Sequence, residues 1–326
     1  MSLNVFITGA TGGIGSGLAR VYAAKGATLG LVAHHQDALD RLIASLPGTG
    51  HKGYVADVTD RDGIIETAHR FEKEVGPADV VIANAGVSIG VKTQYYEDLA
   101  VMDRVYRINV IGMANTFHGF LPAMIERHAG TLVGIGSVAG IRGLPGSEAY
   151  CSSKAAVINY CESLRIEMMK HGVEVLTVCP GFVKTPLTSK NPYPMPFILE
   201  PDEFARRAVR AIDAHKTYTV IPWQMGLLAK LMKIAPNCLF DRILKGRKQK
   251  PRSESDPEAP GLARIRHRSQ TSVPFFFRMK SRTIWRISVP YASSFFGPIP
   301  FTWLRASNDC GWIEATSERL TSVMMR

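Results

Sequence analysis

The stretch YCSSK, residues 150–154, places Tyr150 and Lys154 four positions apart, so on a helix they share one face, one turn apart. A tyrosine with a pKa of about 10 is a poor acid or base near neutrality, but a neighbouring ammonium favours the phenolate. The pair could therefore move a proton to or from a substrate. On an exposed helix the same spacing would be only a solvated pair worth roughly a few tenths of a kcal/mol.

A second feature lies near the N-terminus, where the apolar run VFIT leads into TGATGGIG, residues 8–15. Gly9, Gly13 and Gly15 have the spacing of a phosphate-binding turn, in which glycines let the backbone approach a pyrophosphate closely. A helix that follows such a turn adds N–H donors and the positive end of its dipole. The sequence therefore predicts a dinucleotide site, which gives Tyr150 a reaction to take part in.

The elements that must position these residues alternate regularly. Seven β-rich runs are separated by segments of helical periodicity, which predicts a single α/β domain with a doubly wound parallel sheet and helices on both faces. The predicted strands are residues 3–8, 28–33, 53–56, 79–83, 131–136, 174–179 and 218–221. The predicted helices are residues 15–25, 36–46, 61–74, 97–127, 149–171, 201–214 and 225–244, the last with a kink at Pro236.

The net charge of +11 is unevenly distributed along the 326 residues. Residues 245–326 hold 15 Lys and Arg against 6 Asp and Glu, whereas residues 1–244 hold 24 against 22. The stretch that begins GRKQKPRSESDPEAPG at Gly246 is charged and rich in proline and serine, which is typical of a linker. We expect a dinucleotide-binding and catalytic domain over residues 1–245 and an irregular, basic C-terminal extension of low order over residues 246–326.

Three interpretations of this extension stay open. The simplest is a poorly ordered basic segment. Peripheral membrane contact is the second, because aromatic and basic residues alternate in PFFFRMKSRTIWRI, residues 274–287. Nucleic-acid binding is the least favoured, because no recognised module supports it.

The five cysteines and nine histidines show no metal-ligand spacing, so we expect reduced thiols and no metal. No secretory leader precedes the first strand, and no apolar run is long enough for a membrane-spanning helix. These observations lead us to expect a cytoplasmic protein.

The chain resembles the short-chain dehydrogenase/reductase family over residues 2–244. The motifs that carry the resemblance occur in the family's order, each at the end of a predicted strand or on the helix that follows: TGATGGIG, Asp57-Val58, Asn84-Ala85-Gly86, Ser137, Tyr150-x-x-x-Lys154 and Pro180-Gly181. The resemblance implies a Rossmann-type fold and an NAD(P)-dependent oxidoreductase that transfers hydride between a nicotinamide cofactor and a carbonyl or alcohol. It also implies a homodimer or homotetramer.

The resemblance gives catalytic roles to Asn109, Ser137, Tyr150 and Lys154. Tyr150 would be the general acid–base, and Lys154 would lower its pKa and hold the nicotinamide ribose. Ser137 would hydrogen-bond the substrate oxygen as charge develops on it. Asn109 would hold a water that passes protons towards Lys154, although an ordinary mid-helix asparagine is the alternative.

The resemblance also implies the cofactor contacts. Asp57 would meet the adenine, the segment Asn84-Ala85-Gly86 the adenine-ribose side, and Val183 and Thr185 the carboxamide. The full set of expected cofactor-binding residues is Gly9, Thr11, Gly13, Ile14, Gly15, His34, His35, Asp57, Val58, Asn84, Ala85, Gly86, Tyr150, Lys154, Pro180, Gly181, Val183 and Thr185.

The choice between the two nicotinamide cofactors falls on LVAHHQDAL, residues 31–39, at the end of the second predicted strand. An acidic residue there binds both ribose hydroxyls and repels a 2′-phosphate, but this chain has Ala33. Related NADP-using members often carry arginine next, where this chain has His34 and His35. We therefore expect NADP(H) to be favoured and NAD(H) to be possible; the alternative is that both histidines simply face solvent.

Substrate contacts in the family come mostly from outside the motifs, here residues 87–96, 138–147 and 188–197. The last segment contains NPYPMPF, and an apolar lid of this kind favours a hydrophobic carbonyl or secondary alcohol. Surface packing of a proline-rich loop explains it equally well. Two alternative functions stay open: a catalytically silent dinucleotide sensor or scaffold, which the complete catalytic set disfavours, and a membrane-surface adaptor that acts through the basic tail.

Overall fold

A computed structural model describes residues 3–189, 191–246, 248–250 and 252 of the chain. Seven strands form one sheet in the order β3-β2-β1-β4-β5-β6-β7, and every neighbouring pair is parallel. The strands are β1 (Asn4–Thr8), β2 (Thr28–Ala33), β3 (Lys52–Val55), β4 (Val80–Ala83), β5 (Thr131–Ile135), β6 (Glu174–Pro180) and β7 (Tyr218–Ile221). The predicted α/β class and doubly wound parallel sheet are confirmed.

Ten α-helices occur in the described part of the chain: α1 (Gly13–Ala24), α2 (Gln36–Ala44), α3 (Arg61–Glu74), α4 (Asp98–Tyr106), α5 (Gly112–Glu126), α6 (Glu148–Met168), α7 (Pro186–Ser189), α8 (Pro201–Asp213), α9 (Trp223–Ile234) and α10 (Asn237–Leu244). No helix in the described residues is long and apolar enough to cross a membrane.

Two predicted helices are divided in the structure. The segment predicted as one helix over residues 97–127 contains a turn of π-helix, Arg107–Ile111, between α4 and α5. The predicted helix over residues 225–244 is two helices, because Pro236 is extended at ψ 149° and precedes α10 as its N-cap. Proline has no N–H to continue the helical hydrogen bonding, so the kink that the sequence predicts becomes a break.

The core forms two layers, one on each face of the sheet. One layer packs α1 and α8 against β1 and β2, with Tyr22 and Phe204 fully buried. The other packs α3, α5 and α6 on the opposite face, where Phe6, Phe71 and Phe120 form an aromatic cluster with ring centres 4.7–6.2 Å apart. With both faces covered, the strands are apolar on both sides.

The chain order reverses between β1 and β4. From β1 the chain moves outwards to β2 and β3 and then returns to β4 on the other side of β1. The loops that leave the carboxyl ends of these two strands therefore separate and open a crevice, where doubly wound sheets bind their ligands. The glycine turn after β1 and the Asn84-Ala85-Gly86 segment after β4 are the two sides of this crevice.

Candidate active site

The glycine turn is built to exclude side chains. Gly9 has a φ of +63°, and its carbonyl accepts a hydrogen bond of 3.1 Å from the Gly12 N–H. A Cβ on Gly15 would lie 2.2 Å from the Gly9 carbonyl oxygen, and one on Gly9 would lie 2.9 Å from the Ala85 Cα. These glycines are therefore required by the close approach of backbone to backbone around the turn.

The turn presents donors at the start of α1. The helix begins at Gly13, its N-cap Gly12 has no side chain to cap it, and its first turn has no acidic residue. The first N–H groups of a helix, here those of Gly13, Ile14 and Gly15, have no partner within it. Together with the dipole they fit a pyrophosphate, and the exposed Thr11 borders the same turn.

The segment that follows β4, which we call the β4 exit (Asn84-Ala85-Gly86), is hydrogen-bonded to the glycine turn. The Asn84 Nδ2 donates to the Thr8 carbonyl at 3.0 Å and to the Gly9 carbonyl at 3.1 Å. The backbone N–H groups of Asn84 and Ala85 both donate to the Thr8 Oγ1. Asn84 thus holds the two sides of the crevice in register, a role in addition to its expected contact with the ribose.

The segment after β6 faces the start of α1. Pro180 ends β6, and the Gly181 N–H donates to the Ile221 carbonyl at 2.8 Å. Val183 is buried, and a Cβ on Gly13 would lie 2.5 Å from the Thr185 Cγ2. The structure therefore brings the glycine turn and the expected carboxamide-binding segment together.

The residues expected on the adenine side of the cofactor differ in exposure: some are exposed to solvent and one is buried. His34 and His35 are exposed at the end of β2, and His35 is the N-cap of α2. The Asp57 carboxylate accepts hydrogen bonds of 2.8 and 2.9 Å from the Thr59 N–H and Oγ1, so it stabilises its own loop. Val58 is buried, and its carbonyl accepts from the Asn115 Nδ2.

Three of the four expected catalytic residues meet between the end of β5 and α6. The Ser137 hydroxyl accepts a 3.1 Å bond from the Ala139 N–H and lies near enough to the Tyr150 hydroxyl to lower the pKa of that phenol. The Lys154 Nζ lies 6.0 Å from the centre of the Tyr150 ring and donates to the Ile135 carbonyl at 2.7 Å. Ser137 and Lys154 are both buried.

Burial dominates the electrostatics of this cluster. It raises the pKa of Tyr150 to about 12, and the hydrogen bond from Ser137 opposes the rise. Burial also lowers the pKa of Lys154 to about 8, because the ammonium loses its hydration. The Tyr150 pKa therefore moves in the direction opposite to the one expected from the lysine alone, and the phenol is protonated at neutral pH.

Asn109 lies in the π-helical turn between α4 and α5 and is buried. Its Oδ1 accepts from the Val87 N–H at 2.8 Å, and its Nδ2 donates to the Val87 carbonyl and the Ser153 Oγ, each at 3.0 Å. The Ser153 hydroxyl in turn donates to the Tyr150 carbonyl at 2.9 Å. Both amide N–H bonds are thus engaged by the protein, so the side chain links the segment after β4 to α6.

Tyr193 of the expected lid lies on the catalytic side. Its ring is 6.4 Å from that of Phe182, and its phenol is near enough to Tyr150 to raise the pKa of that residue slightly further. A separate cleft of about 970 Å³ opens beside the substrate segment 138–147 and α10, lined in part by Ile141, Leu144 and Phe240. None of the four catalytic candidates lines this cleft.

Sequence reasoning missed two basic residues that contact the substrate side. The Lys250 Nζ donates to the Ser88 Oγ at 2.8 Å. The Arg252 guanidinium forms a two-bond pair with the buried Asp98 carboxylate, at 2.8 and 2.9 Å, and lies 3.8 Å over the Tyr95 ring. Both fall in the stretch interpreted as a linker from its composition, and residues 247, 251 and 253–326 of the predicted extension lie outside the described residues.

A glycine turn and a half-buried phenol lie at the same edge of a parallel sheet, which is the arrangement that a dinucleotide-dependent oxidoreductase requires. The sequence model of the family described as short chain dehydrogenase matches residues 3–194. The chain belongs to this family, whose members bind NAD(P)(H) and act on CH–OH or C=O groups.

Individual proteins agree with this assignment. The chain is 36% identical over 240 residues to an uncharacterized oxidoreductase of Myxococcus xanthus, covering 72% of this chain and 93% of that protein. It is 33% identical over 242 residues to mouse epidermal retinol dehydrogenase 2, covering 71% and 78%. The crystal structure of a short-chain dehydrogenase from Streptomyces avermitilis superimposes with a TM-score of 0.61 at 26% identity, covering 72% of this chain and 96% of that one.

The pair between Arg252 and Asp98 predicts a stability change that depends on pH. Arg252→Ala should lower the Tm by a few degrees at pH 7, because it leaves a buried carboxylate without its cation. The hydrogen bond from Arg252 lowers the pKa of Asp98. The stability that this ion pair adds to the folded state is therefore fully present above the ordinary pKa range of a carboxyl group, and it is lost as the pH falls through the lowered pKa of Asp98. Thermal melts followed by circular dichroism should show the difference in Tm between the native protein and the Arg252→Ala variant at pH 7. This difference should become smaller in acid.

The matched control is Arg107→Ala, which removes an exposed i,i+4 pair with Asp103 and should leave the Tm nearly unchanged. Equal effects of the two substitutions would contradict a specific role for the Arg252 pair.

Proposed function

We propose that this oxidoreductase favours NADP(H), reduces a hydrophobic carbonyl or oxidises the corresponding secondary alcohol, and uses Tyr150 as its general acid–base. The observation that carries the proposal is the proximity of the Ser137 and Tyr150 hydroxyls beside the buried Lys154, whose Nζ lies 6.0 Å from the centre of the Tyr150 ring. The proposal includes a cytoplasmic location and a homodimer or homotetramer, which are supported by the cysteine usage and the family resemblance.

The residues of the cluster divide the chemistry among them. A bound nicotinamide dinucleotide supplies or accepts the hydride at the substrate carbon. In reduction, the Tyr150 Oη gives its proton to the substrate oxygen, and a pKa of about 12 keeps that proton in place at neutral pH. The Ser137 hydroxyl donates to the same oxygen as negative charge grows on it. In oxidation, Tyr150 takes the proton back, and the Lys154 ammonium favours the phenolate.

The preference for an apolar substrate is supported by the residues around Tyr150. Phe182 and Tyr193 pack together on this side, and Val138 lies beside Ser137 in a small apolar cluster with Met225. One relative is named for retinol, which is itself an apolar alcohol. These side chains offer area for an apolar substrate and few polar partners.

The preference for NADP(H) is supported by the end of β2. The two exposed histidines occupy the place where an acidic residue would repel a 2′-phosphate, and α2 begins immediately after them. The N–H groups at the start of that helix favour an anion. Asp37 in the first turn of α2 opposes this preference, which makes the selection weaker than an arginine would give.

The role of Tyr150 predicts a large loss of rate on Tyr150→Phe. The change removes the transferable proton and leaves the ring, so kcat/KM for ketone reduction should fall by at least about 100-fold. NADPH binding, followed by fluorescence titration, should change little. Tyr160→Phe on the same helix is the matched control and should keep its rate, whereas equal loss in both variants would contradict the assignment.

The histidine pair predicts that cofactor preference depends on the side-chain charge at the end of β2. His34→Arg/His35→Arg should raise the ratio of kcat/KM for NADPH to that for NADH, because arginine is a permanent cation that can bond a phosphate through two N–H groups. His34→Asp/His35→Asp should lower the same ratio, because a carboxylate repels a 2′-phosphate. A ratio that is unchanged in both variants would exclude these two positions as the selecting ones.

The position of Tyr193 predicts a change in substrate choice. Tyr193→Ala should reduce kcat/KM more for bulky apolar ketones than for small ones, by about tenfold relative to each other, with little change in the KM for NADPH. Steady-state assays across a ketone series measure this difference. An equal reduction for every ketone would count against a contact between Tyr193 and the substrate.

A further inference from the structure

An apolar surface lies on the two helices that follow the sheet. We call it the α9–α10 surface, and its large side chains are each 50–77% exposed. They are Trp223, Leu227, Leu231 and Ile234 of α9 and Leu239 and Ile243 of α10. Single exposed apolar residues are common on proteins, but six on two successive helices call for a partner.

The residues of α9 form a continuous stripe. Positions 223, 227, 231 and 234 follow the three- and four-residue spacing that places side chains along one face of a helix. The buried residues of α9, Met225 and Ala229, lie on the opposite face and pack against Val138. The helix is therefore apolar on two faces, and the described part of the chain covers only one of them.

The two helices are held as one rigid unit. The Arg142 guanidinium lies 3.8 Å over the Phe240 ring of α10 and donates to the Ala235 carbonyl at 2.6 Å, just beyond the end of α9. It also donates to the Met232 carbonyl and to the Asn237 Oδ1. The exposed stripe is thus fixed to the domain before any partner arrives, which reduces the ordering cost of binding.

The charges beside the stripe identify the partner. Lys230, Lys233, Arg242 and Lys245 are all exposed, and Asp241 is the single acidic residue between positions 223 and 245. Two copies of this surface would bring like charges together, which opposes self-association. Anionic lipid headgroups offer the complementary charge, and a bilayer offers apolar depth for the stripe.

We propose that the α9–α10 surface binds the face of an anionic phospholipid bilayer. The helices lie along the interface with the stripe inserted and the basic side chains among the headgroups. Met225 packs on the same helix against Val138, next to Ser137, so the bound bilayer lies close to the substrate side. Delivery of an apolar substrate from the bilayer is a consequence that rests on the proposed function, whereas membrane binding does not.

The test is sedimentation of the full-length protein with vesicles of phosphatidylcholine and phosphatidylserine in equal parts. Leu227→Glu/Leu231→Glu should lower the partition coefficient by at least about tenfold, because two carboxylates would have to enter the interface. Lys230→Glu/Lys233→Glu should lower it at low salt, with the difference shrinking as salt screens the headgroups. Binding to phosphatidylcholine alone should be weaker for the native protein.

The control is Ile166→Glu/Met169→Glu, which adds the same charge at two exposed apolar residues, one near the end of α6 and one just beyond it, and should bind vesicles as the native protein does. Turnover of a water-soluble ketone without lipid should be unchanged in the α9 variants. Native protein that turns over ketone but does not bind vesicles overturns this inference alone; vesicle binding without turnover overturns only the proposed function.

Two further outcomes would overturn the inference. Unchanged binding by both α9 variants would assign the membrane contact to another part of the chain. A fall in molar mass of the Leu227→Glu/Leu231→Glu variant in sedimentation equilibrium, with no vesicle binding by the native protein, would assign the surface to contact between copies of the chain. If the leucine variant fails to fold, the lysine variant decides the question.

Discussion

The burial of Lys154 is the constraint on which the active site depends. An ammonium removed from water is stable only if its donors are used, and here one bonds the Ile135 carbonyl at the end of β5. That bond links α6 to the sheet, and Tyr150, one turn earlier on the helix, thereby lies beside Ser137. The same burial lowers the pKa of Lys154 to about 8 and raises that of Tyr150 to about 12. The positions of Tyr150 and Lys154 and their pKa values therefore both depend on the burial of this cluster.

A buried amide network transmits this position to the cofactor crevice. Asn109 bonds both polar groups of the Val87 backbone, and through Ser153 it reaches the carbonyl of Tyr150. The π-helical turn gives Asn109 its place, since an extra residue in the turn shifts the direction of its side chain. The β4 exit is thus held on one side by Asn109 and on the other by Asn84, which bonds the glycine turn. Hydrogen bonds therefore connect the crevice to the cluster of Ser137, Tyr150 and Lys154.

The sequence was sufficient for the fold and for choosing residues that the structure brings together at the candidate site, because both depend on local patterns. The strand ends, the glycine spacing and the four-residue step from Tyr150 to Lys154 follow from the local sequence and need no knowledge of tertiary contacts. The tertiary consequences could not be predicted in this way. The direction of the Tyr150 pKa depends on burial by distant segments, and the engagement of Asn109 depends on Val87, 22 positions away. Composition also placed Arg252 in a linker, although it pairs with Asp98.

Among the described residues after α8, two groups of basic side chains have different physical roles. Lys250 and Arg252 turn inwards, where Arg252 neutralises a buried carboxylate and Lys250 bonds Ser88 on the substrate side. The Arg252 cation gives little attraction to an external anion, since the Asp98 carboxylate largely cancels its field at close range. Lys230, Lys233 and Arg242 instead lie exposed beside an apolar stripe. Charge and apolar area act on the same bilayer only where they are adjacent, so membrane attraction from the described residues falls to α9 and α10.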